Sequence, residues 1–404
     1  MEERRDRLTP EQKQALRRRR LLKNRMAQGL CILIAAAVMA AAANALLLLT
    51  KDRTFSEAEN RMLAQKPALT AASLADGSFA ENAQRWYADQ FPGRDGWIAA
   101  NTAFSRLLGQ REMNGVYLGA DGYLMEKPAE ADDTQLEKTL DAIRAFAALD
   151  PARPVYLAVV PTAACVLEDK LPPDAPVEDE QAAIRTFYGT LDNVTGIDVT
   201  DGLRARADAG LYYRTDHHWT SLGAYAAFQT MAPQLGLDAD AAQFTPYTVS
   251  TTFEGTLASK TGSRGVYDTI TIYAPADENL LYDVTYTDTQ TTVRTLYDRQ
   301  KLAQKNQYEV FFGGNHARVD IRTTADTGRT LLLLKDSYAN CFVQFLLPYY
   351  DRIIMIDPRY YYDDLGALLR REAITDVLML YNYNTFVQDH ALAVVLRSAA
   401  AEGE

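Results

Sequence analysis

The sequence predicts an α/β domain with a doubly wound, mainly parallel sheet, preceded by a transmembrane helix. Short apolar runs alternate with helix-like segments, an order that is typical of parallel sheets. The four clearest runs cover residues 155–160, 330–334, 352–356 and 376–380. The 21 residues from Gly29 to Leu49 contain one polar side chain, Asn44, and about 20 apolar residues suffice to cross a bilayer.

The amino-terminal end is basic. Residues 1–28 carry ten Lys/Arg and four Asp/Glu, which predicts a cytoplasmic segment in front of a transmembrane anchor at 29–49. A signal-peptidase site at Ala43-Asn44-Ala45 is the alternative, but the apolar run continues past it. We therefore expect a single-pass protein of the cell membrane, with a cytoplasmic amino terminus and an extracellular carboxyl-terminal domain.

The remainder of the chain is acidic. It holds 32 Lys/Arg and 49 Asp/Glu, a net charge of −17, which argues against nucleic acid or anionic lipid as a partner of this part. The three cysteines, Cys31, Cys165 and Cys341, have the spacing of neither a disulfide framework nor a zinc site. We expect the outer two to be buried as small apolar side chains.

Two regions follow the anchor. Residues 50–110 are predicted to form a helical stalk, which begins with the helix-capable segment 51–67 and is interrupted at Pro92-Gly93. Residues 111–404 are predicted to form the α/β domain. Within it, residues 245–325 are rich in Thr, Tyr and Val and have little helical periodicity, which predicts a β-rich insertion.

A serine and an acid–histidine pair carry the predicted chemistry. Ser337 follows a predicted strand and precedes a predicted helix at 338–347, so its own and the following backbone N–H would face a developing oxyanion. Serine becomes nucleophilic when an imidazole takes its proton and an acid orients the imidazole. Asp216 and His218 lie on the same side of an extended segment, with His217 on the other side. We predict Ser337 as nucleophile, His218 as base and Asp216 as its orienting acid.

Two other motifs offer alternatives to this triad. Asp216, His217 and His218 offer metal ligands, but three consecutive ligands converge poorly and no HExxH helix completes the set. Lys260-Thr261-Gly262 matches the KTG box of penicillin-recognising enzymes, yet the Ser-x-x-Lys motif of that chemistry is missing from the sequence. We therefore expect no metal and no cofactor.

The catalytic segments resemble the SGNH/GDSL hydrolase superfamily. His218 to Gly223 keeps the interval of its Asp-x-x-His-x-x-x-x-Gly block, with Asp216 one residue closer to the histidine. Lys335-Asp336-Ser337 is similar to its Gly-Asp-Ser block, with Lys in place of Gly. The shortened form resembles the DHHW-motif family and the AlgJ and AlgX type of polysaccharide O-acetylation proteins. Because the histidine block comes first, the resemblance implies a circularly permuted SGNH order.

The resemblance also implies residues around the triad. The predicted oxyanion or substrate contacts are Asn382, Arg359, Asn384, Asn315 and Tyr381. The predicted supporting residues are His217, Trp219 and Asp336.

The function that the resemblance implies is serine O-acetyl transfer outside the cytoplasm. An acetyl-serine intermediate would pass its acetyl group to a cell-surface or exported polysaccharide, and a membrane O-acyltransferase partner would supply acetyl groups. Two alternatives stay open at this point. A secreted acetylesterase is favoured by a cleaved amino terminus, and a non-catalytic polysaccharide-binding or assembly protein is favoured by Lys335 at the glycine position.

Overall fold

The computed structural model describes residues 9–59 and 61–399. They form two compact units, residues 9–56 with 61–98, and residues 57–59 with 99–399. The helices are α1 (Pro10–Leu49), α2 (Ala71–Ala75), α3 (Ser78–Gln90), α4 (Arg94–Leu107), α5 (Asp133–Ala148), α6 (Ala163–Val166), α7 (Glu180–Gly189), α8 (Thr200–Arg204), α9 (Ser221–Met231), α10 (Thr256–Thr261), α11 (Leu365–Arg371), α12 (Tyr383–Val387) and α13 (Leu392–Ser398). The strands are β1 (Phe55–Ser56), β2 (Arg61–Met62), β3 (Glu112–Met113), β4 (Val116–Leu118), β5 (Leu124–Glu126), β6 (Val155–Val160), β7 (Thr195–Gly196), β8 (Phe244–Phe253), β9 (Asp268–Pro275), β10 (Tyr282–Tyr286), β11 (Thr291–Val293), β12 (Arg318–Thr323), β13 (Thr330–Lys335), β14 (Arg352–Ile356) and β15 (Asp376–Asn382).

Helix α1 is long and apolar enough to cross a membrane by its length and composition. Thr9 caps its amino terminus by accepting the N–H of Gln12. Asn44, inside the predicted span, donates to the carbonyl oxygen of Ala40 at 2.8 Å, so this polar group is satisfied within the helix. The basic residues and the apolar span thus share one continuous helix, while residues 1–8 of the predicted basic segment lie outside the described part of the chain.

The start of the predicted stalk is not helical. Residues 51–67 hold the short antiparallel pair β1–β2 instead of a helix. Asp52 accepts the N–H of Lys66 at 2.9 Å, and Asp89 accepts the N–H of Ala64 at 2.8 Å. These side-chain bonds to the backbone compete with helix formation. The two later stalk helices, α3 and α4, are separated at Pro92-Gly93 as predicted.

Eight strands form the main sheet of the second unit, in the order β11-β10-β12-β14-β13-β15-β6-β7. Strands β14, β13, β15, β6 and β7 are parallel, and β12, β10 and β11 extend the sheet antiparallel. Leu331 and Leu333 face one apolar core, whereas Leu332 and Leu334 face a second one. Strands that are buried on both faces are typical of parallel sheets. The predicted mainly parallel α/β architecture is confirmed.

The predicted β-rich region 245–325 contributes to two structures. Strands β8 and β9 pair as a separate antiparallel ribbon. Strands β10, β11 and β12 instead form the antiparallel edge of the main sheet. The predicted insertion is therefore divided between this ribbon and the main sheet.

The predicted helix at 338–347 is wrong. The chain forms three 3-10 turns there, at Ser337–Cys341, Val343–Phe345 and Leu347–Tyr349. Every residue from 338 to 347 is buried, so this segment has no solvent-facing side of the kind that a surface helix presents. Side chains bind backbone carbonyls of the segment instead: Trp219 donates to the carbonyl oxygen of Tyr338 at 2.9 Å, and Gln344 donates to that of Cys341. Such bonds compete with the hydrogen bonds of a regular helix.

The site is assembled at the carboxyl edge of the parallel strands, where ligands bind in open α/β sheets. Lys335 at the end of β13 pairs with Leu380 of β15, and Asn382 of β15 pairs with Val160 of β6. Ser337 therefore emerges beside the end of β15.

Candidate active site

Ser337 begins the first 3-10 turn after β13. Asp336 caps this turn, because its Oδ1 accepts the N–H of Tyr338 at 2.9 Å. Its Oδ2 accepts the N–H of Asn382 at 2.9 Å. Burial raises the pKa of Asp336. One buried carboxyl group thus fixes the serine turn against the end of β15, and Ser337 stays partly exposed.

The side chains of Ser337, His218 and Asp216 form a hydrogen-bonded relay. His218 Nε2 lies 2.8 Å from Ser337 Oγ, and His218 Nδ1 lies 2.6 Å from Asp216 Oδ1. Asp216 is 1% exposed and His218 is 5% exposed. The structure therefore brings the three predicted residues together in the connectivity that a serine–histidine–acid triad requires.

A tight fold of the chain places the acid and the base on one side. The N–H of Tyr213 donates to the carbonyl oxygen of His218 at 3.2 Å, and Asp216 Oδ1 accepts the N–H of His218 at 3.1 Å. Asp216 Oδ2 accepts both the N–H and the hydroxyl of Thr256, at 2.8 and 2.9 Å. Asp216 is thus held in place by the amino-terminal residue of α10.

The electrostatics of the pair suit proton transfer. Burial alone would raise the pKa of Asp216, but His217, His218 and the N–H of Thr256 outweigh it and hold this pKa well below its usual value. Burial, with His217 beside it, lowers the pKa of His218 to about 4. At neutral pH, His218 is therefore a neutral imidazole able to accept the serine proton, and Asp216 is ionised.

His217 does not lie on the far side of the segment, as the alternation of an extended chain predicts. Its ring packs against that of His218, with centroids 3.9 Å apart. Its Nδ1 lies 2.8 Å from the hydroxyl oxygen of Thr256. The segment bends here, so strict alternation fails and both imidazoles reach the same side.

Two tyrosines complete the surroundings of the histidines, and no sequence pattern singled them out. The Tyr308 ring stacks on His218, with centroids 3.8 Å apart and planes 13° apart. Its hydroxyl donates to the carbonyl oxygen of Ser337 at 3.0 Å. The Tyr338 hydroxyl donates to the carbonyl oxygen of His217. Both side chains tie the histidine segment to the serine turn.

Some of the predicted oxyanion donors already have hydrogen-bond partners. The N–H of Tyr338 is occupied by Asp336, so it is not free to bind an oxyanion as expected. Asn382 Nδ2 makes one long bond, 3.4 Å, to the carbonyl oxygen of Val160, and its Oδ1 accepts the N–H of Asn384. The backbone N–H of Ser337 opens the 3-10 turn, where no preceding turn offers a carbonyl partner. Asn382 Nδ2 and this N–H are the remaining candidates.

A cleft of about 720 Å³ adjoins the relay. Its lining includes the predicted residues His217, Asn382, Arg359 and Asn384. Arg359 is held by a two-point ion pair with Asp357, at 2.8 and 2.6 Å. The full lining is Gly115, Glu126, Lys127, Ala129, His217, Lys260, Arg359, Asn382, Asn384, Thr385, Gln388, Asp389, His390 and Ala391.

Seven other predicted residues lie outside this lining: Ser337, His218, Asp216, Asp336, Tyr381, Asn315 and Trp219. Tyr381 is fully buried and packs against Phe386, so it does not contact substrate as expected. Asn315 is exposed, and its Oδ1 accepts from Asn340 Nδ2 at 3.1 Å at the edge of a buried polar cluster. Trp219 is fully buried and donates to the carbonyl oxygen of Tyr338 at 2.9 Å, which supports the serine turn.

Lys335, which stands at the glycine position of the serine block, is buried. Its Nζ donates to Asn340 Oδ1 at 2.8 Å and lies 3.6 Å from Asp357 Oδ2. Burial lowers the pKa of Lys335, although Asp357 opposes this. The side chain is thus accommodated in the same polar cluster as Asn315.

The potential metal ligands are already engaged with other groups. Ligand atoms of Asp216, His217 and His218 lie within 4.8 Å of one another. However, the two His218 nitrogens contact Asp216 and Ser337, and His217 Nδ1 contacts Thr256. This arrangement suits a proton relay better than a metal shell, whose ligands direct their lone pairs at a shared ion.

The comparisons with known proteins give the family. A family model described as DHHW protein matches residues 140–356, more than half of the chain, including the run Asp216-His217-His218-Trp219 and Ser337. The chain belongs to the DHHW protein family. The family predicted from its motifs is therefore confirmed.

Solved structures agree on the fold of this DHHW protein. It is similar to a DHHW family protein from Eubacterium siraeum DSM 15702, with 24% identity, a TM-score of 0.60, and coverage of 70% of this chain and 95% of that one. It is also similar to Bacillus cereus PatB1 with a sulfonyl adduct, with 20% identity, a TM-score of 0.56, and coverage of 68% and 98%. The O-acetyltransferase domain of Pseudomonas putida AlgJ is more distant, with 16% identity, a TM-score of 0.44, and coverage of 71% and 99%. No curated protein matches the chain.

Proposed function

We propose that this DHHW protein is an extracytoplasmic serine O-acetyltransferase that acts on a cell-surface or exported polysaccharide. The observation that carries the proposal is the relay from Ser337 through His218 to Asp216, next to an open cleft. A buried, neutral histidine that faces a partly exposed serine is the arrangement needed for nucleophilic acyl transfer.

The first half-reaction forms an acetyl-serine. His218 Nε2 takes the proton from Ser337 Oγ, which attacks the carbonyl carbon of an acetyl ester. Asp216 stabilises the imidazolium that forms. Asn382 Nδ2 and the N–H of Ser337 stabilise the oxyanion, and His218 returns its proton to the leaving group.

The second half-reaction transfers the acetyl group. A sugar hydroxyl enters the cleft and gives its proton to His218 while its oxygen attacks the acetyl-serine. The bond between the acetyl carbon and Ser337 Oγ breaks, and the proton returns to Ser337. If water attacks the same intermediate, the acetyl group is released as acetate and the enzyme acts as an acetylesterase. The acceptor therefore decides between the two activities.

Helix α1 gives the proposed enzyme its location. We propose that residues 29–49 of α1 anchor the chain in the cell membrane, with the basic end in the cytoplasm and the second unit outside. An acetyl donor outside the cell requires a supplier, and a membrane O-acyltransferase partner beside the anchor fills that role.

Two observations bear on the alternatives. Lys335, the feature that favoured a non-catalytic protein, is directed into a buried polar cluster with Asn340 and Asp357. The substitution therefore does not argue against chemistry at Ser337. PatB1 was determined with a sulfonyl adduct, and we propose that Ser337 of this chain also forms a sulfonyl adduct.

The experiment uses the full chain in detergent with 4-nitrophenyl acetate and a mixture of plant and bacterial oligosaccharides. We expect nitrophenol release that depends on Ser337 and His218, together with acetylated sugars detected by mass spectrometry. Release by Ser337→Ala at the wild-type rate would contradict the proposal. Nitrophenol release that yields free acetate and no acetylated sugar would favour the acetylesterase.

A further inference from the structure

Arg359 differs from the other Lys and Arg side chains of the cleft in how it is held. Its Nε and Nη2 donate to the two carboxylate oxygens of Asp357, at 2.8 and 2.6 Å, and Asp357 is fully buried. Lys127 and Lys260 each pair with a carboxylate that is itself partly exposed. Because exposed ion pairs hold a side chain weakly, Arg359 is the cation of this lining, among the described residues, that has a fixed position.

One nitrogen of Arg359 is available to a ligand. Nη1 donates to no residue among 9–59 and 61–399, and it is not buried. The side chain is 33% exposed and lines the cleft. The ring centroid of Tyr360 lies 5.6 Å from Cζ of Arg359, a cation–π contact. Asp357 and Tyr360 thus hold the guanidinium group while the N–H donors of Nη1 stay free.

A second buried charge supports Asp357. Lys335 Nζ lies 3.6 Å from Asp357 Oδ2 and donates to Asn340 Oδ1 at 2.8 Å. Burying a carboxylate is costly unless cations and hydrogen bonds compensate it, and buried ion pairs contribute little net stability. The connected charges of Lys335, Asp357 and Arg359 reach from the strand before Ser337 to the cleft, and their effect there is to orient the guanidinium group.

The acceptor sugar is the ligand that suits this position. The cleft of about 720 Å³ has the size of a pocket that encloses a small organic ligand, whereas an acetyl group on Ser337 is far smaller. Neither Ser337 nor His218 belongs to the lining that includes Arg359, so Arg359 lies beside the relay. Guanidinium N–H groups donate to hydroxyl and carboxylate oxygens alike, and a sugar offers several such oxygens.

We infer that Arg359 binds the acceptor sugar through Nη1, and that Asp357 is the positioning residue that orients Arg359, with Lys335 balancing the charge of Asp357. This inference rests on the proposed acetyl transfer. It also gives a role to the lysine at the glycine position of the serine block, since this lysine allows a buried carboxylate to orient the arginine that binds the acceptor.

The test measures how preformed acetyl-enzyme divides its acetyl group between sugar and water. The full chain is acetylated with 4-nitrophenyl acetate and mixed with tetrasaccharides of glucose, mannose, N-acetylglucosamine or galacturonate, and mass spectrometry quantifies acetylated sugar and free acetate. Both products need the same triad, so their ratio reports acceptor binding. We expect the wild type to acetylate at least one probe, and Arg359→Gln to lower the ratio about 10- to 100-fold, because a hydrogen bond from a charged group is lost.

The matched control is Arg318→Gln. Arg318 makes the same kind of two-point contact with Asp320, at 2.8 Å for each bond, and lies outside the cleft lining. The ratio of acetylated sugar to acetate should stay at the wild-type value in this variant. An unchanged ratio in Arg359→Gln, or no acetylated sugar from any probe, overturns the inference.

A rescue experiment tests the role of Asp357. Arg359→Ala leaves Asp357 and Lys335 in place, so a free guanidinium ion can occupy the vacated space. We expect millimolar guanidinium chloride, far below denaturing concentrations, to restore part of the ratio in Arg359→Ala and none of it when Asp357→Asn is added. No rescue of Arg359→Ala, or equal rescue of both variants, contradicts the role of Asp357.

Arg359→Lys carries the test of positioning if circular dichroism shows that the variant with Asp357→Asn does not fold. It keeps the charge and loses the two-point contact with Asp357. We expect it to lower the ratio nearly as much as Arg359→Gln does. A wild-type ratio in Arg359→Lys would show that the charge alone suffices and that no orientation by Asp357 is needed.

A binding measurement separates this inference from the proposed function. Titration calorimetry compares the binding of the same tetrasaccharides to Ser337→Ala and to Ser337→Ala with Arg359→Gln, and it needs no acetyl-enzyme. Weaker binding by the double variant, in a protein whose wild type forms no acetyl-enzyme, would refute acetyl transfer and keep Arg359 as a sugar-binding residue. Transfer to sugar that Arg359→Gln leaves unchanged would refute the inference and keep the transfer.

Discussion

Tyr308 lies flat against the imidazole of His218, with ring centroids 3.8 Å apart, while its hydroxyl donates to the carbonyl oxygen of Ser337 at 3.0 Å. One side chain thus contacts both the proposed base and the backbone of the proposed nucleophile. Since proton transfer depends on the position of the base, Tyr308 acts as a positioning residue.

Tyr308→Phe and Tyr308→Leu separate the two contacts. Tyr308→Phe loses the hydroxyl bond, and we expect Ser337 acetylation to slow about fivefold, the worth of roughly 1 kcal/mol. Tyr308→Leu also loses the stacked ring, and we expect the acetylation rate to fall about fivefold further. The rate of nitrophenol release in the first turnover measures both. Tyr297→Phe is the control, because it removes a buried hydroxyl bond to Tyr273 without a contact to His218, and the two phenylalanine variants should differ.

The pH dependence follows from the lowered pKa of His218. The base works as a neutral imidazole, and a pKa of about 4 keeps it neutral as the pH falls from 7 to about 5. We expect the acetylation rate to hold over that range and to decline as the pH passes through about 4. The first-turnover rate between pH 3.5 and 8 measures this. A decline centred near 6.5, the ordinary histidine value, would contradict the assigned environment.

His217→Ala tests the second cause of that shift. His217 beside His218 lowers the pKa of the base, so its removal should move the acid limb of the profile to higher pH. His390→Ala, which removes an exposed histidine from the same cleft, should leave the profile in place. Identical profiles for the two variants would show that the adjacent imidazole has no electrostatic effect.

Asp216→Asn should nearly abolish the acetylation of Ser337. The variant no longer fixes the tautomer of His218 or stabilises its charged form, and we expect acetylation to slow on the order of 10³- to 10⁴-fold. It also turns an NH₂ group toward the N–H and hydroxyl of Thr256, which costs about 1–3 kcal/mol of stability. Circular dichroism should therefore verify folding before rates are compared. A rate within tenfold of wild type contradicts the triad.

Gly255 makes room for Asp216. A Cβ at this position would lie 2.3 Å from Asp216 Cβ and 2.6 Å from Asp216 Oδ2. We expect Gly255→Ala to lower the free energy of unfolding by about 1–3 kcal/mol and to slow acetylation by displacing the acid. Gly189→Ala is the matched control, since no atom lies within 4 Å of its Cβ position. Urea unfolding of both variants measures the difference, and equal stabilities would contradict the close packing.

The sequence was sufficient to predict the parts of the site that depend on local pattern. Asp216 and His218 are two residues apart, and Ser337 follows an apolar strand, so short-range rules predict both halves of the relay. Continuous apolar runs such as the one in Thr330–Lys335 predict the buried strands of the mainly parallel sheet. These features need no knowledge of distant contacts.

The remaining features depend on contacts that no short pattern encodes. Tyr308 lies 29 residues before Ser337, and Thr256 lies 40 residues after Asp216; neither stands in a recognisable motif. The residues at 338–347 are helix-capable, but they form 3-10 turns, and Trp219, 119 residues before Tyr338, donates to a carbonyl oxygen of the segment. Tyr381 ends a strand near the site, yet the alternation of β15 turns it into the core.

The mass of the intact protein after incubation with 4-nitrophenyl acetate tests the central claim most directly. The account predicts that the wild type gains one acetyl group, that peptide mapping places it on Ser337, and that His218→Ala gains it far more slowly. Ser337→Ala should gain none at this position. A folded wild-type protein that gains no acetyl group, or gains it equally in Ser337→Ala, would contradict the account.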